Sequence, residues 1–325
     1  VIQPSDFNPE VLNSEVLNPK IVNSKTPCSK NWHGMLNLTY ASRQGKTVIV
    51  EQQNQAPLKV QRPLYPEEQT DPEGQKICHS IILHTAGGVV GGDRLSCNFD
   101  LQPNSQALIT TAAASKIYRS NGSQARQKIE INVDERACLE WLPQETIVFN
   151  AADYRQDLRV DLANNASFLG WEINRFGRTA RGEKFVQGNW RSHTEIYQEG
   201  IPLWIDRQWL PGSEEIFYSP NGLAGQAVIG SLIFVGKTIS KDIVEQVRSL
   251  WKSNPHMTLS RHAALTPIPN SKSPNQGVTR LNNGFLCRYR GNSTAEVRNW
   301  FINVWLLLRT SFLSRGSSVP RVWML

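Results

Sequence analysis

Leu95-Ser96-Cys97-Asn98-Phe99-Asp100-Leu101 is the stretch on which the fold turns. Apolar and polar residues alternate through it without a break, which is the two-residue period of a strand with one face buried and not the 3.6-residue period of a helix. Just before it stands Ala86-Gly87-Gly88-Val89-Val90-Gly91-Gly92-Asp93. Glycines can bring backbone N–H groups close to a phosphate, but here no Lys-Ser/Thr pair follows and the spacing is not that of a dinucleotide fingerprint. The next element is a strand where a helix would be needed. The glycines therefore read as a tight connection between strands that requires positive φ.

The same signal repeats on both sides. Thr47–Glu51, Ile77–Leu83, Ala107–Thr111, Gln127–Val133 and Asp157–Leu162 are short β-branched or alternating runs punctuated by Gly, Pro, Asn or Asp. Regular short strands of this kind predict a mainly β chain built as a sandwich, a barrel or a β-helical stack. Trp32, Leu36 and Leu38 share one side of an extended segment, which places the start of the folded part there. Before it, Glu10–Ser24 repeats a five-residue pattern too short for a solenoid unit, so residues 1–30 are expected to form a disordered tail.

Two segments carry helical spacing. Ser240–Trp251 puts Ile243, Val244, Val247, Leu250 and Trp251 on one face, with Ser240 placed as the cap. Ser293-Thr294-Ala295-Glu296 has capping-box spacing and precedes Val297, Phe301, Val304, Trp305 and Leu308. Between these helices, Asn254–Asn283 is rich in Pro, Ser, Asn and Lys and reads as a loop, after which strand-like Gly284–Arg290 resumes. A single domain over residues 31–325 accounts for all of these signals.

The 325 residues include 39% hydrophobic side chains and ten tryptophans, enough to bury a sizeable core. The formal charge is +7, yet basic residues are scattered, which argues against a dedicated nucleic-acid binder. The basic excess gathers late in the chain, at Arg288, Arg290, Arg298, Arg309, Arg315 and Arg321, and together with the apolar face of the last helix suggests a surface for an acidic protein. The alternative is that Val297, Phe301 and Trp305 simply pack on the sheet. Five scattered cysteines point to a reducing compartment. Neither a signal peptide nor a membrane span is expected, and the cytoplasm is the expected location.

Catalytic signatures are sparse. Cys78, His79, His84 and Cys97 are metal-ligand types, but in a strand Cys78 and His84 face one way and His79 the other, so a structural role is the simpler reading. Carboxylates recur beside aromatics at Glu140, Glu145, Glu172 and Glu183. A pair of them could serve as acid and base in a carbohydrate-active β protein, since an apolar neighbour raises a carboxyl pKa. Each could instead pair with an arginine such as Arg175, Arg178 or Arg181, or line a passage used by a borderline cation. No Gly-x-Ser-x-Gly, His-Glu-x-x-His or Cys-x-x-Cys motif is present, so nothing in the sequence supports an enzyme.

Taken in order, the motifs resemble those of the urease accessory protein family UreD, also called UreH. The residues that carry the resemblance begin with Pro57–Pro66, Cys78-His79, Leu83-His84 and Gly87–Asp93. They continue through Thr110-Thr111, Ala114–Ser120 and Leu139–Phe149, and end with Gly170-Trp171-Glu172, Gly177-Arg178, Gly182-Glu183 and Pro320-Arg321-Val322-Trp323. The resemblance implies one strand-rich domain over 31–325 with β-helix-like stacking of sheets and two α-helices. It also implies a non-enzymatic scaffold or chaperone for nickel insertion into apo-urease, acting with UreF and the GTPase UreG. No tightly bound cofactor is implied. Nickel would be cargo in transit, and Glu140, Glu145, Glu172 and Glu183 are the candidates to line its path.

Overall fold

The computed structural model describes residues 31–67, 76–253, 274–313, 315 and 318–324; the expected tail at 1–30 and most of the expected loop before β16 lie outside them. The alternating runs become strands that the chain lays down in two sheets by turns. In the first sheet β1 (His33–Arg43) and β2 (Lys46–Gln55) form a hairpin, and the chain crosses to the second for β3 (Leu58–Val60) and β4 (Cys78–His84). It returns for β5 (Arg94–Leu101), crosses for β6 (Gln106–Thr111) and β7 (Ser115–Ile117), and returns for β8 (Ala125–Val133). Next come β9 (Cys138–Trp141) and β10 (Thr146–Val148), then β11 (Asp153–Leu162), then β12 (Ser167–Phe176). The hairpin β13 (Asn189–Gln198) and β14 (Ile201–Pro211) ends the first sheet. After α1 (Glu214–Tyr218), the second sheet is completed by β15 (Val228–Val235), β16 (Asn275–Leu281) and β17 (Gly284–Gly291), with α2 (Lys241–Ser253) and α3 (Thr294–Phe312) following β15 and β17.

The result is a mainly β, solenoid-like stack. The first sheet runs β14-β13-β11-β8-β5-β1-β2 and the second β16-β17-β15-β12-β9-β6-β4-β3. In the first, β1, β5, β8, β11 and β13 are parallel; in the second, β4, β6, β9 and β12 are parallel. Parallel neighbours in register turn the sequence alternation into ladders. Leu38, Phe99, Ile131, Val160 and Ile196 form one such inward row, all buried. Burying each of these side chains contributes roughly 1.5–3 kcal/mol. A one-residue slip would turn the whole row to solvent, so the register is strongly specified.

The second sheet is covered on both faces. One face meets the first sheet through residues such as Ile82, Ile109, Trp141 and Phe168. The other, with Leu108, Leu169, Trp171 and Phe234, meets Val297, Phe301, Val304, Trp305 and Leu308 of α3. The helix face considered for docking is therefore core. Ser293 caps α3 by accepting from the Glu296 N–H at 3.1 Å, but Glu296 does not close a capping box; its carboxylate accepts from the Tyr289 hydroxyl at 2.7 Å. Ser240 caps α2 through the Ile243 N–H at 3.3 Å. The short α1 and β16, which occupies part of the stretch expected to be loop, are additions to the sequence reading. The Gly87–Asp93 stretch does turn between β4 and β5, with Gly92 at φ +92° and the Asp93 carboxylate accepting from the N–H groups of Trp32 and Val90 at 2.8 and 2.9 Å. No helix among the described residues is long and apolar enough to cross a membrane.

Candidate functional site

The fold distributes the four candidate glutamates over separate settings. Glu140, on the helix-facing side of β9, is fully buried. Arg309 of α3 donates to it at 3.0 and 3.1 Å, and Arg315 and the Trp305 indole N–H donate as well. Burial alone would raise its carboxyl, but the two guanidinium groups and these hydrogen bonds hold it at about 2. Arg309 also donates to Glu67 at 2.7 Å, and Glu67 shares a 2.7 Å hydrogen bond with His79. This closed ionic network clamps α3 onto the sheet. The late arginines are thus not one exposed docking surface: Arg309 has no solvent exposure and Arg315 is buried.

Glu145 is ion-paired with Arg298. Glu183 is held by Arg178 at 2.6 Å and accepts from the Asn150 N–H at 2.8 Å. Burial raises the Glu183 carboxyl, and these partners outweigh it, leaving it below the ordinary value. Three of the four carboxylates are therefore engaged by arginine, in networks that the sequence could suggest but not assign.

Glu172 is different. It sits on the side of β12 that faces the first sheet and lines a cavity of about 350 Å³ between the two sheets. Its oxygens accept from Asn174 Nδ2 at 2.7 Å and Ser192 Oγ at 2.9 Å. Burial pushes its carboxyl above the ordinary range, the Asp206 charge adds to this, and the two hydrogen bonds and Arg288 oppose it. Asp206, on the inward side of β14, also lines the cavity and accepts from Arg288 at 2.6 Å and Gln208 at 2.8 Å. The remaining lining is mixed, with the rings of Trp141, Phe168 and Trp204 and the amides of Gln127 and Gln156.

His84 lines the same space. Its Nδ1 donates to the Ala86 carbonyl, which can only accept, at 3.0 Å. Its Nε2 is buried and has no hydrogen-bond partner among the described residues. As the strand alternation predicts, Cys78 and His84 lie on the side toward the first sheet and His79 on the other. Among the described residues no three His, Cys, Asp or Glu side chains converge as a metal cluster. Asp206 escaped the sequence reading, and Arg288 was read only as part of the late basic excess; the signal for Asp206 was a charged residue between Trp204 and Gln208 on the inward positions of an alternating strand.

Comparison with known proteins places this architecture. The family model described as UreD urease accessory protein matches residues 33–324. The chain belongs to the UreD family. Among its relatives, the urease accessory protein UreD of Nostoc punctiforme is 63% identical over 295 residues, covering 91% of this chain and 97% of the relative. The UreD proteins of Nostoc sp. and Acaryochloris marina are 63% and 50% identical over 294 and 293 residues, covering 90% of this chain in each case and 96% and 95% of the relatives. A urease accessory role follows from family membership.

Proposed function

We propose that the protein assists nickel insertion into apo-urease in the cytoplasm, as a scaffold or chaperone acting with UreF and the GTPase UreG. The reading is supported above all by the inter-sheet cavity, which combines apolar walls with the carboxylates of Glu172 and Asp206. Nickel released into bulk solvent would be taken by stronger competitors, because affinity order alone does not deliver selectivity. A passage lined by single oxygen ligands binds an ion weakly enough to pass it on. Glu172 and Asp206 act as these ligands in the proposal. Glu140, Glu145 and Glu183, none of which lines the cavity, hold the fold around them and are left out of the path.

The test is co-expression of urease subunits and the remaining accessory proteins with or without this chain, reading urease activity and nickel per urease. Both should rise only when the chain is present. Glu172→Gln with Asp206→Asn should lower nickel content while the accessory complex still assembles. Full nickel loading without the chain would overturn the role, and full loading with the double variant would remove the two carboxylates from it.

A further inference from the structure

The parallel, in-register strands of the first sheet also build rows on its outer face. One row runs His33, Arg94, Arg126, Arg155, Arg191 and ends on Trp209 of β14. Neighbouring strands lie about 4.8 Å apart, so the four arginines span about 14 Å. Like charges directly opposite one another on paired strands are destabilising, so the row needs a reason. Only Arg155 has a carboxylate partner in it among the described residues, Asp157, at 2.8 Å. Arg126 donates to the Gln124 side-chain oxygen at 2.9 Å, Arg94 is exposed, and Arg191 lies over the Trp209 ring at 5.1 Å with a buried Nε that lacks a hydrogen bond among the described residues. A shallow groove of about 420 Å³ runs beside the row, with His33, Arg94, Arg126, Lys128 and Asp157 in its walls.

We propose that this arginine row is a docking site for the acidic face of an α-helix on a partner protein. A helix with carboxylates at i, i+4, i+7 and i+11 spreads four charges over about 16 Å, close to the length of the row and within reach of flexible arginine stems. An extended strand would place four same-side carboxylates over about 20 Å and overshoot it. Guanidinium groups suit the recognition because their planar forks bind carboxylates in two-point fashion. Trp209, 61% exposed, supplies an apolar anchor at the end of the row. A nucleic-acid backbone fits less well: Asp157 lies in the next row, and Asp100 and Asp161 lie about 20 Å further along the same strands, where they would repel phosphates. The overall charge of +7 would speed the encounter with an acidic partner.

The experiment titrates the full chain into a labelled alanine-based helical peptide carrying glutamates at i, i+4, i+7 and i+11. A second peptide of the same composition spreads its glutamates around the helix. The one-faced peptide should bind at least about tenfold more tightly than the other, and less tightly as salt rises from about 50 to 200 mM. Arg94→Glu with Arg126→Glu should weaken it by about tenfold or more, and Arg94→Gln with Arg126→Gln by about threefold or more, whereas Arg181→Glu should leave it unchanged. All three arginines are exposed, and unchanged melting temperatures would show that the variants fold; if the double reversal does not fold, the glutamine pair decides. Absent binding, equal binding of both peptides, or binding indifferent to Arg94 and Arg126 would overturn the proposal. So would a thymidine oligonucleotide that binds more tightly than the one-faced peptide and is lost in the same variants.

Discussion

Replacing Arg309 by methionine removes the centre of the buried ionic network while keeping most of the volume of the side-chain stem. The wild-type guanidinium, without solvent exposure, donates to Glu140 at 3.0 and 3.1 Å and to Glu67 at 2.7 Å. Without it, two buried carboxylates are left with Arg315 and His79 as their remaining charged or chargeable partners. Breaking a buried pair in this way costs about 3–5 kcal/mol, because a charge stays buried without compensation. The Glu140 carboxyl points the same way: it is held at about 2 against an ordinary 4.5, a gap worth roughly 3.5 kcal/mol at about 1.4 kcal/mol per pH unit, which Arg309 shares with Arg315 and the Trp305 N–H. At about 2–4 °C per kcal/mol, the melting temperature at pH 7 should fall by about 6–20 °C. The folded pKa lies below the unfolded one, so this stabilisation is full above about pH 4.5 and is lost as pH falls toward 2. The gap between wild type and Arg309→Met should therefore close over that window. Circular-dichroism melts from pH 7 to pH 3 measure it, with Arg159→Met, which breaks an exposed pair with Asp161, as a control moving the midpoint by no more than about 2 °C. A loss under about 2 °C for Arg309→Met at pH 7, or a gap that stays constant down to pH 3, would refute the reasoning.

Glu172→Gln should raise the melting temperature more at pH 8 than at pH 4, since burial raises the folded carboxyl pKa and the wild type loses stability as pH climbs through it; equal shifts at both pH values would show the carboxyl to be unperturbed. Gly230→Ala should cost about 1–3 kcal/mol in urea unfolding, because the new methyl would sit 2.7 Å from Val297 Cγ2 and force α3 off the sheet; a neutral result would mean the helix is loosely seated. In a Cys28→Ser chain, Cys78, Cys97, Cys138 and Cys287 should all be silent to a thiol reagent at pH 8 until denaturant is added, as burial raises each thiol pKa; rapid labelling of the native protein would contradict the packing.

How much of this was legible depended on which faces of an element are buried. The strand β5 announced itself because one side packs and the other is wet. β12 did not, because Phe168 and Leu169 point to opposite cores, and a strand buried on both faces loses its alternation. With five residues, α1 is too short to show a helical period. Arg309 was misread as a surface cation, although a signal was available: it stands four residues after Trp305 and eight after Phe301, on the stripe that the helix buries. Among the four glutamates, nothing local separates Glu172, open to the cavity, from Glu140, locked by arginines.

By itself the sequence determined the strand type, the caps of α2 and α3, the turn at Gly87–Asp93 and, through its ordered motifs, the family. These are readable because side-chain period, capping and turn chemistry act over a few residues. Only the tertiary structure decided that Glu140 meets Arg309 from 169 residues away, that Glu172 and Asp206 share a cavity, and that four arginines on four strands align in one row. Those outcomes follow from the order and register in which strands stack, which burial across the whole chain selects and which no local pattern encodes.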